Sequence, residues 1–157
     1  MHAIARGQND MAAYLISRGA GIRSRGKKGD TMLMIAIEKG NDDMAKLFIA
    51  RGTDINARDI SGGSALMTAL DAGNNAVAEL LLGKGADVNA KNIYGISVIH
   101  LAAKNGNPGL MEKLVPKVRD LNIPDNMGMT ALDLAVQHKK SGAVKVLEHY
   151  GAKRLRR

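Results

Sequence analysis

Residues 59–91 read Asp59-Ile-Ser-Gly-Gly-Ser-Ala-Leu-Met-Thr-Ala-Leu-Asp-Ala-Gly-Asn-Asn-Ala-Val-Ala-Glu-Leu-Leu-Leu-Gly-Lys-Gly-Ala-Asp-Val-Asn-Ala-Lys91, and the pattern returns every 33 residues. Gly7, Gly40, Gly73 and Gly106 keep that spacing, as do Gly19, Gly52 and Gly85. Gly29, Gly62, Gly95 and Gly128 form a third ladder, and Asn56, Asn89 and Asn122 a fourth. Four ladders sharing one period without an insertion define a repeat array. The full copies are 26–58, 59–91, 92–124 and 125–157. Residues 1–25 fit the end of a further copy that enters within its first helix, as expected of a chain trimmed before Met1.

Each copy predicts two short helices and an extended finger. Thr31, Ser64, Ser97 and Thr130 precede Ala-rich apolar stretches, as helix N-caps do. A second helix follows, for example Asp42 to Arg51, with Met44, Leu47 and Phe48 at helical spacing. Gly52 suits the left-handed residue that ends it. Asp54-Ile55-Asn56-Ala57 then leads into the finger, which closes at Gly62. Two short helices cannot bury their own apolar face, but stacked copies can. The expected architecture is therefore an all-α helix-turn-helix solenoid with extended finger loops, forming one domain over 1–157.

Several segments carry this pattern: Gly128-Met129-Thr130-Ala131-Leu132, Gly85-Ala86-Asp87-Val88-Asn89-Ala90 and Ser97-Val98-Ile99-His100-Leu101-Ala102-Ala103. Through them the whole chain resembles the ankyrin repeats. That resemblance implies a non-catalytic module that binds another protein through a concave face of fingers and first helices. It also implies a structural role for His100, hydrogen-bonded to neighbouring loop backbone. The chain departs from the family pattern at particular points. The proline expected before the apolar residue is replaced by Met32, Ala65, Val98 and Ala131. The helix-starting histidine survives only as His100, with Met1, Met34, Met67 and Asp133 in its place elsewhere. Val118 replaces a glycine, Pro116 should shorten the second helix of its copy, and Lys139 replaces a mid-repeat glycine. An irregular connection is expected over 116–121.

Composition narrows the function further. The 157 residues contain no Cys and no Trp, with one Phe and three Tyr. Thiol chemistry, disulfides and cysteine-ligated zinc are therefore absent. Met11, Met44, Met67 and Met111 fall at core positions, where Met fills gaps. The four His lack H-x-x-x-H spacing, and no hydrolase or calcium-loop motif occurs, so neither a metal nor a cofactor is expected. No apolar run is long enough for a membrane span. The net charge of +8 includes Lys153, Arg154, Arg156 and Arg157 in the last five residues, a solvated end or a localisation-like run. It hints at an acidic partner. The scarcity of aromatics argues against nucleic acid.

These readings give a monomeric, cytoplasmic scaffold, steric inhibitor or effector with no small-molecule substrate. Its expected partner-binding residues fall in three groups. Arg25, Arg58 and Lys91 should form a basic row, with Lys27 and Lys28 beside it. The finger tips hold Ile60, Ile93, Tyr94, Ile96, Met127 and Met129, expected as an apolar patch centred on Tyr94. The inner helix positions are Glu38, Lys39, Asp71, Lys104 and His138. The alternative is a nucleotide or phosphate site in the Gly21–Lys28 turn, close to G-x4-G-K-[ST] but with Lys28 where the hydroxyl should stand.

Overall fold

The computed structural model describes residues 24–155. Residues 1–23, Met11 among them, and the last two arginines lie outside them. Eight α-helices follow in pairs among the described residues. They are α1 (Met32–Glu38), α2 (Asp42–Ala50), α3 (Ala65–Asp71), α4 (Asn75–Gly83), α5 (Val98–Asn105), α6 (Pro108–Leu114), α7 (Ala131–Gln137) and α8 (Ser141–His149). The fold is all-α, and the finger loops are pinched only by isolated antiparallel bridges, Arg25 to Thr31, Arg58 to Ser64 and Lys91 to Ser97.

The capping residues act as the sequence predicts. Thr31, Ser64 and Thr130 each accept the amide of the third helical residue through the side-chain oxygen, at 3.2 to 3.3 Å. Asn41, Asn74 and Asn107 do the same for α2, α4 and α6. Pro108 opens α6, where its missing N–H is no loss. The helix stops at Leu114, and a 3₁₀ turn, Val115–Lys117, carries the chain past Pro116. Val118 is extended, at φ −81° and ψ 129°. Its counterparts Gly52 and Gly85 are left-handed, at 73° and 82°. The shortened helix and irregular link are thus as expected.

The chain divides into two compact units, residues 1–86 and 87–157. In the first, α1 packs on α2 and α3, and α4 covers α2 and α3. Its interior is aliphatic and sulfur-rich, with Leu33, Met34, Ile37, Met44, Leu66, Leu70 and Leu81 at most 2% exposed around Phe48. In the second, α5 packs on α6 and α7, while α8 packs on α6 and α7. Ile99, Leu110, Met111, Leu114 and Leu147 fill that core. Burial of this kind is the main driving force for stacking short helices that could not persist alone.

Candidate partner-binding surface

Three of the four fingers are tight turns braced by one acidic or amide side chain, while the first, with Gly26 in that place, is closed by its backbone and by Arg25. In the first unit, Asp59 Oδ1 accepts from the Ser61 amide and hydroxyl and from the Gly63 amide, all within 2.8 Å. In the second unit, Asn92 Oδ1 accepts the amides of Tyr94 and Ile96 at 3.0 Å. Asp125 Oδ1 accepts those of Met127 and Met129 at 2.8 and 2.9 Å. Such turns fix the backbone and leave the tip side chains outside.

Neighbouring fingers are stitched together by their main chains. Within the first unit the Ile60 amide donates to the Lys28 carbonyl at 3.0 Å. Within the second, Asn126 donates to the Tyr94 carbonyl through its amide and to the Ile93 carbonyl through Nδ2, both at 3.1 Å. The second unit thereby brings Ile93, Tyr94 and Met127 onto two joined fingers, 63%, 58% and 72% exposed. Ile96 and Met129 stand nearer the finger roots and are half-buried. Ile60, 74% exposed, stands on the second finger of the first unit, and the exposed Lys27 and Lys28 on its first finger.

The basic residues beside the fingers divide by role. Arg25 Nη1 donates to the carbonyls of Gly29 and Arg58, at 2.8 and 2.6 Å. Arg58 Nη1 donates to the Gly62 carbonyl at 3.0 Å. Both guanidiniums therefore brace finger backbone, a task invisible to charge patterning. Lys91 is exposed at the root of its finger. Glu38, Lys39 and Asp71 are exposed at the C-terminal ends of α1 and α3 in the first unit, and Lys104 and His138 at those of α5 and α7 in the second.

Two buried titratable groups join helix starts to the next loop. His100 Nδ1 accepts from the Ser97 amide at 3.1 Å, so Nε2 carries the proton and donates to the Met129 carbonyl at 3.0 Å. Burial lowers its pKa, against the raising effects of the Met129 carbonyl and the Asp125 charge. Asp133 fills the same place in the last copy. Burial alone would raise its pKa, yet hydrogen bonds from Thr130, Arg154 and Leu155 outweigh that and lower it. Arg154 Nε lies 3.2 Å from Asp133 Oδ1, and the Lys153 amide donates to Asn122 Oδ1 at 2.6 Å. The basic tail is thus tied by hydrogen bonds as far as Leu155, while Lys153, Arg154 and Leu155 stay exposed. The replacement of His by Asp opposite a basic tail was the signal for it.

His100 and Asp133 are both engaged in holding loops. Among the described residues no cluster of three His, Cys, Asp or Glu could hold a metal. No helix there is long and apolar enough to cross a membrane. Gly26 to Gly29 form a backbone-closed turn, with the Gly29 amide on the Gly26 carbonyl at 3.0 Å. No helix begins on Lys27 or Lys28, since α1 starts after Thr31, so the phosphate-loop arrangement is not formed there. Gly21 to Arg23 lie outside the described residues.

No curated protein matches the chain. The family model for ankyrin repeats (3 copies) matches residues 1–92 and again 66–156. Paired helices, hydroxyl caps, braced fingers and a 33-residue period all agree with that match, and the chain belongs to the ankyrin-repeat family.

Proposed function

We propose that the protein is a non-catalytic binding module whose second unit grips a partner protein through Ile93, Tyr94 and Met127. Ankyrin repeats are in general protein-protein interaction modules. The observation that carries the finer reading is the exposure of three large apolar side chains on two hydrogen-bonded fingers. Exposed apolar groups on a rigid support mark interaction surfaces. Braced turns also lower the ordering cost of association. Ile96 and Met129 would line the base of the contact. Lys91 beside it, and the net charge of +8, favour an acidic partner. Ile60, Lys27 and Lys28 would offer a comparable but more polar contact in the first unit, and Arg25 and Arg58 would act by holding the fingers. A monomer acting as scaffold, steric inhibitor or effector in the cytoplasm fits this reading.

Tyr is a frequent hot spot because an apolar ring carries a polar tip. Tyr94→Ala should weaken partner binding by more than ~1 kcal/mol while leaving the unfolding midpoint nearly unchanged. Parallel capture of cellular proteins on the wild-type chain and the variant, followed by mass spectrometry, measures this. Equal recovery of the same proteins on both would refute the assignment.

A further inference from the structure

His100 and Asp133 occupy one column, 33 residues apart, each at the start of a first helix. His100 Nε2 donates to the Met129 carbonyl and so holds the root of the next finger. Asp133 holds the tail instead. Its Oδ1 accepts Arg154 Nε at 3.2 Å and its Oδ2 the Leu155 amide at 3.4 Å. The Lys153 carbonyl lies 3.2 Å from the Thr130 hydroxyl, and the Lys153 amide donates to Asn122 Oδ1. The tail therefore stands beside the finger 125–130 as that finger stands beside 92–97.

The anchored segment displays side chains unlike those of the columns it continues. Leu155 shares a column with Asn89 and Asn122, which each accept a main-chain amide from the copy that follows. Leucine has no acceptor, and Leu155 is 60% exposed. Lys153 shares a column with Asp54, Asp87 and Asp120, and is exposed in its turn. Asp120 and Asp125, which flank Asn122, hold main-chain amides of their own turns. A single exposed leucine is ordinary, but this one continues the row of Ile93, Tyr94 and Met127. Met127 is three residues from Thr130, at most about 11 Å along the chain, so one short segment covers finger and tail together. The second unit carries 12 Lys and Arg against six Asp and Glu, the first 11 against nine, which draws acidic chains to the second.

We propose that Lys153, Arg154 and Leu155, tied to Asp133, extend the finger surface of the second unit and meet an acidic segment of the same partner protein, one that also carries apolar side chains. Leu155 takes an apolar side chain, while the Lys153 ammonium and the outer guanidinium nitrogens of Arg154 take a carboxylate. A nucleic-acid strand would use the charges alone and would stack its bases on aromatic rings, so the exposed aliphatic groups favour a peptide. This inference rests on the finger contact proposed above and adds the tail to it.

A labelled decapeptide of alternating Glu and Leu, titrated at low salt with anisotropy as readout, tests it. Lys153→Ser with Leu155→Ser removes both side chains and keeps the main-chain ties of the tail. This double variant should bind the peptide about fivefold more weakly with an unchanged unfolding midpoint. Tyr94→Ala probes the fingers separately and should weaken the peptide as well. Amide shifts on peptide addition should fall in 153–155 and in the fingers 92–97 and 125–130. Full affinity of the double variant, with loss in Tyr94→Ala, would overturn the tail contact and leave the fingers standing. Loss in the double variant, with full affinity in Tyr94→Ala, would overturn the finger reading and the joint surface with it. No binding by the wild type, or tighter binding of a DNA duplex of equal charge, would also overturn the proposal.

Discussion

The two units use one backbone plan and fill its special positions differently. In the first unit Met34 and Met67 stand in the column that holds His100 and Asp133 in the second. Gly52 and Gly85 have Val118 as counterpart, Gly40 and Gly73 have Lys139, and Asn41 and Asn74 have Lys140. Neither unit keeps every residue of the pattern: the first has Met34 and Met67 where the second keeps His100, while the second has Val118, Lys139 and Lys140 where the first has glycine or asparagine. The period tolerates this because each helix pair is held by several buried side chains, so one poor cap or one strained residue does not unfold it. Loss of a capping asparagine or of a glycine at a left-handed position should lower stability locally.

The largest test of that contrast lies in the core. Leu81 in α4 is fully buried, and Leu81→Ala should destabilise by about 2–5 kcal/mol through lost transfer energy and a cavity. A loss under about 0.5 kcal/mol would show that the column is not core. Leu114 occupies the same column where α6 ends early, so amides of 105–121 should exchange faster than those of Asn75–Gly83. Slowest exchange in 105–121 would reverse the ranking of the two units.

A smaller effect concerns the ends of the second helices. Gly85 is left-handed at φ 82° with open space around the missing Cβ, so Gly85→Val should cost about 1–2 kcal/mol from strain alone. Val118 is extended, and Val118→Gly should therefore lose about 0.5–1 kcal/mol of chain entropy rather than restore the pattern. A gain in stability from Val118→Gly, read by denaturant unfolding, would show that valine imposes the 3₁₀ ending and Pro116 does not.

The smallest effect is pH dependence, which should belong to the second unit. The folded pKa of His100 is lowered, chiefly by burial, so the unfolded chain takes up its proton more readily. The stabilisation is full above the unfolded value of about 6.5 and declines as pH falls through the folded one. Asp133 behaves alike in a more acidic window, since its lowered pKa gives stability above about pH 4 that is lost on acidification. Met34 and Met67 have no such titration. Thermal unfolding between pH 7.5 and 5.5 should show a loss in the wild type that His100→Met reduces. An identical loss in the variant would place the titration elsewhere.

Much of this was legible in the residues alone. The 33-residue period, the hydroxyl caps, the early end at Pro116 and the family all rest on interactions within about one turn or one copy, which recur with the sequence. The apolar fingers were legible as a set, but not which tips would be exposed. Ile93 and Ile96 are alike in chemistry, and only the Asn92 turn leaves one outside while turning the other toward the root. The partners of Arg25 and Arg58 are backbone carbonyls, which every residue carries and no sequence distinguishes. Docking of the tail joins Thr130 to Lys153 and Asp133 to Arg154 across more than twenty residues, and Lys139 takes the left-handed backbone of the glycines in its column, at φ 54°. Local periodic chemistry set the elements, whereas the pairing of distant groups and the strain a residue tolerates depend on what the folded chain brings beside them.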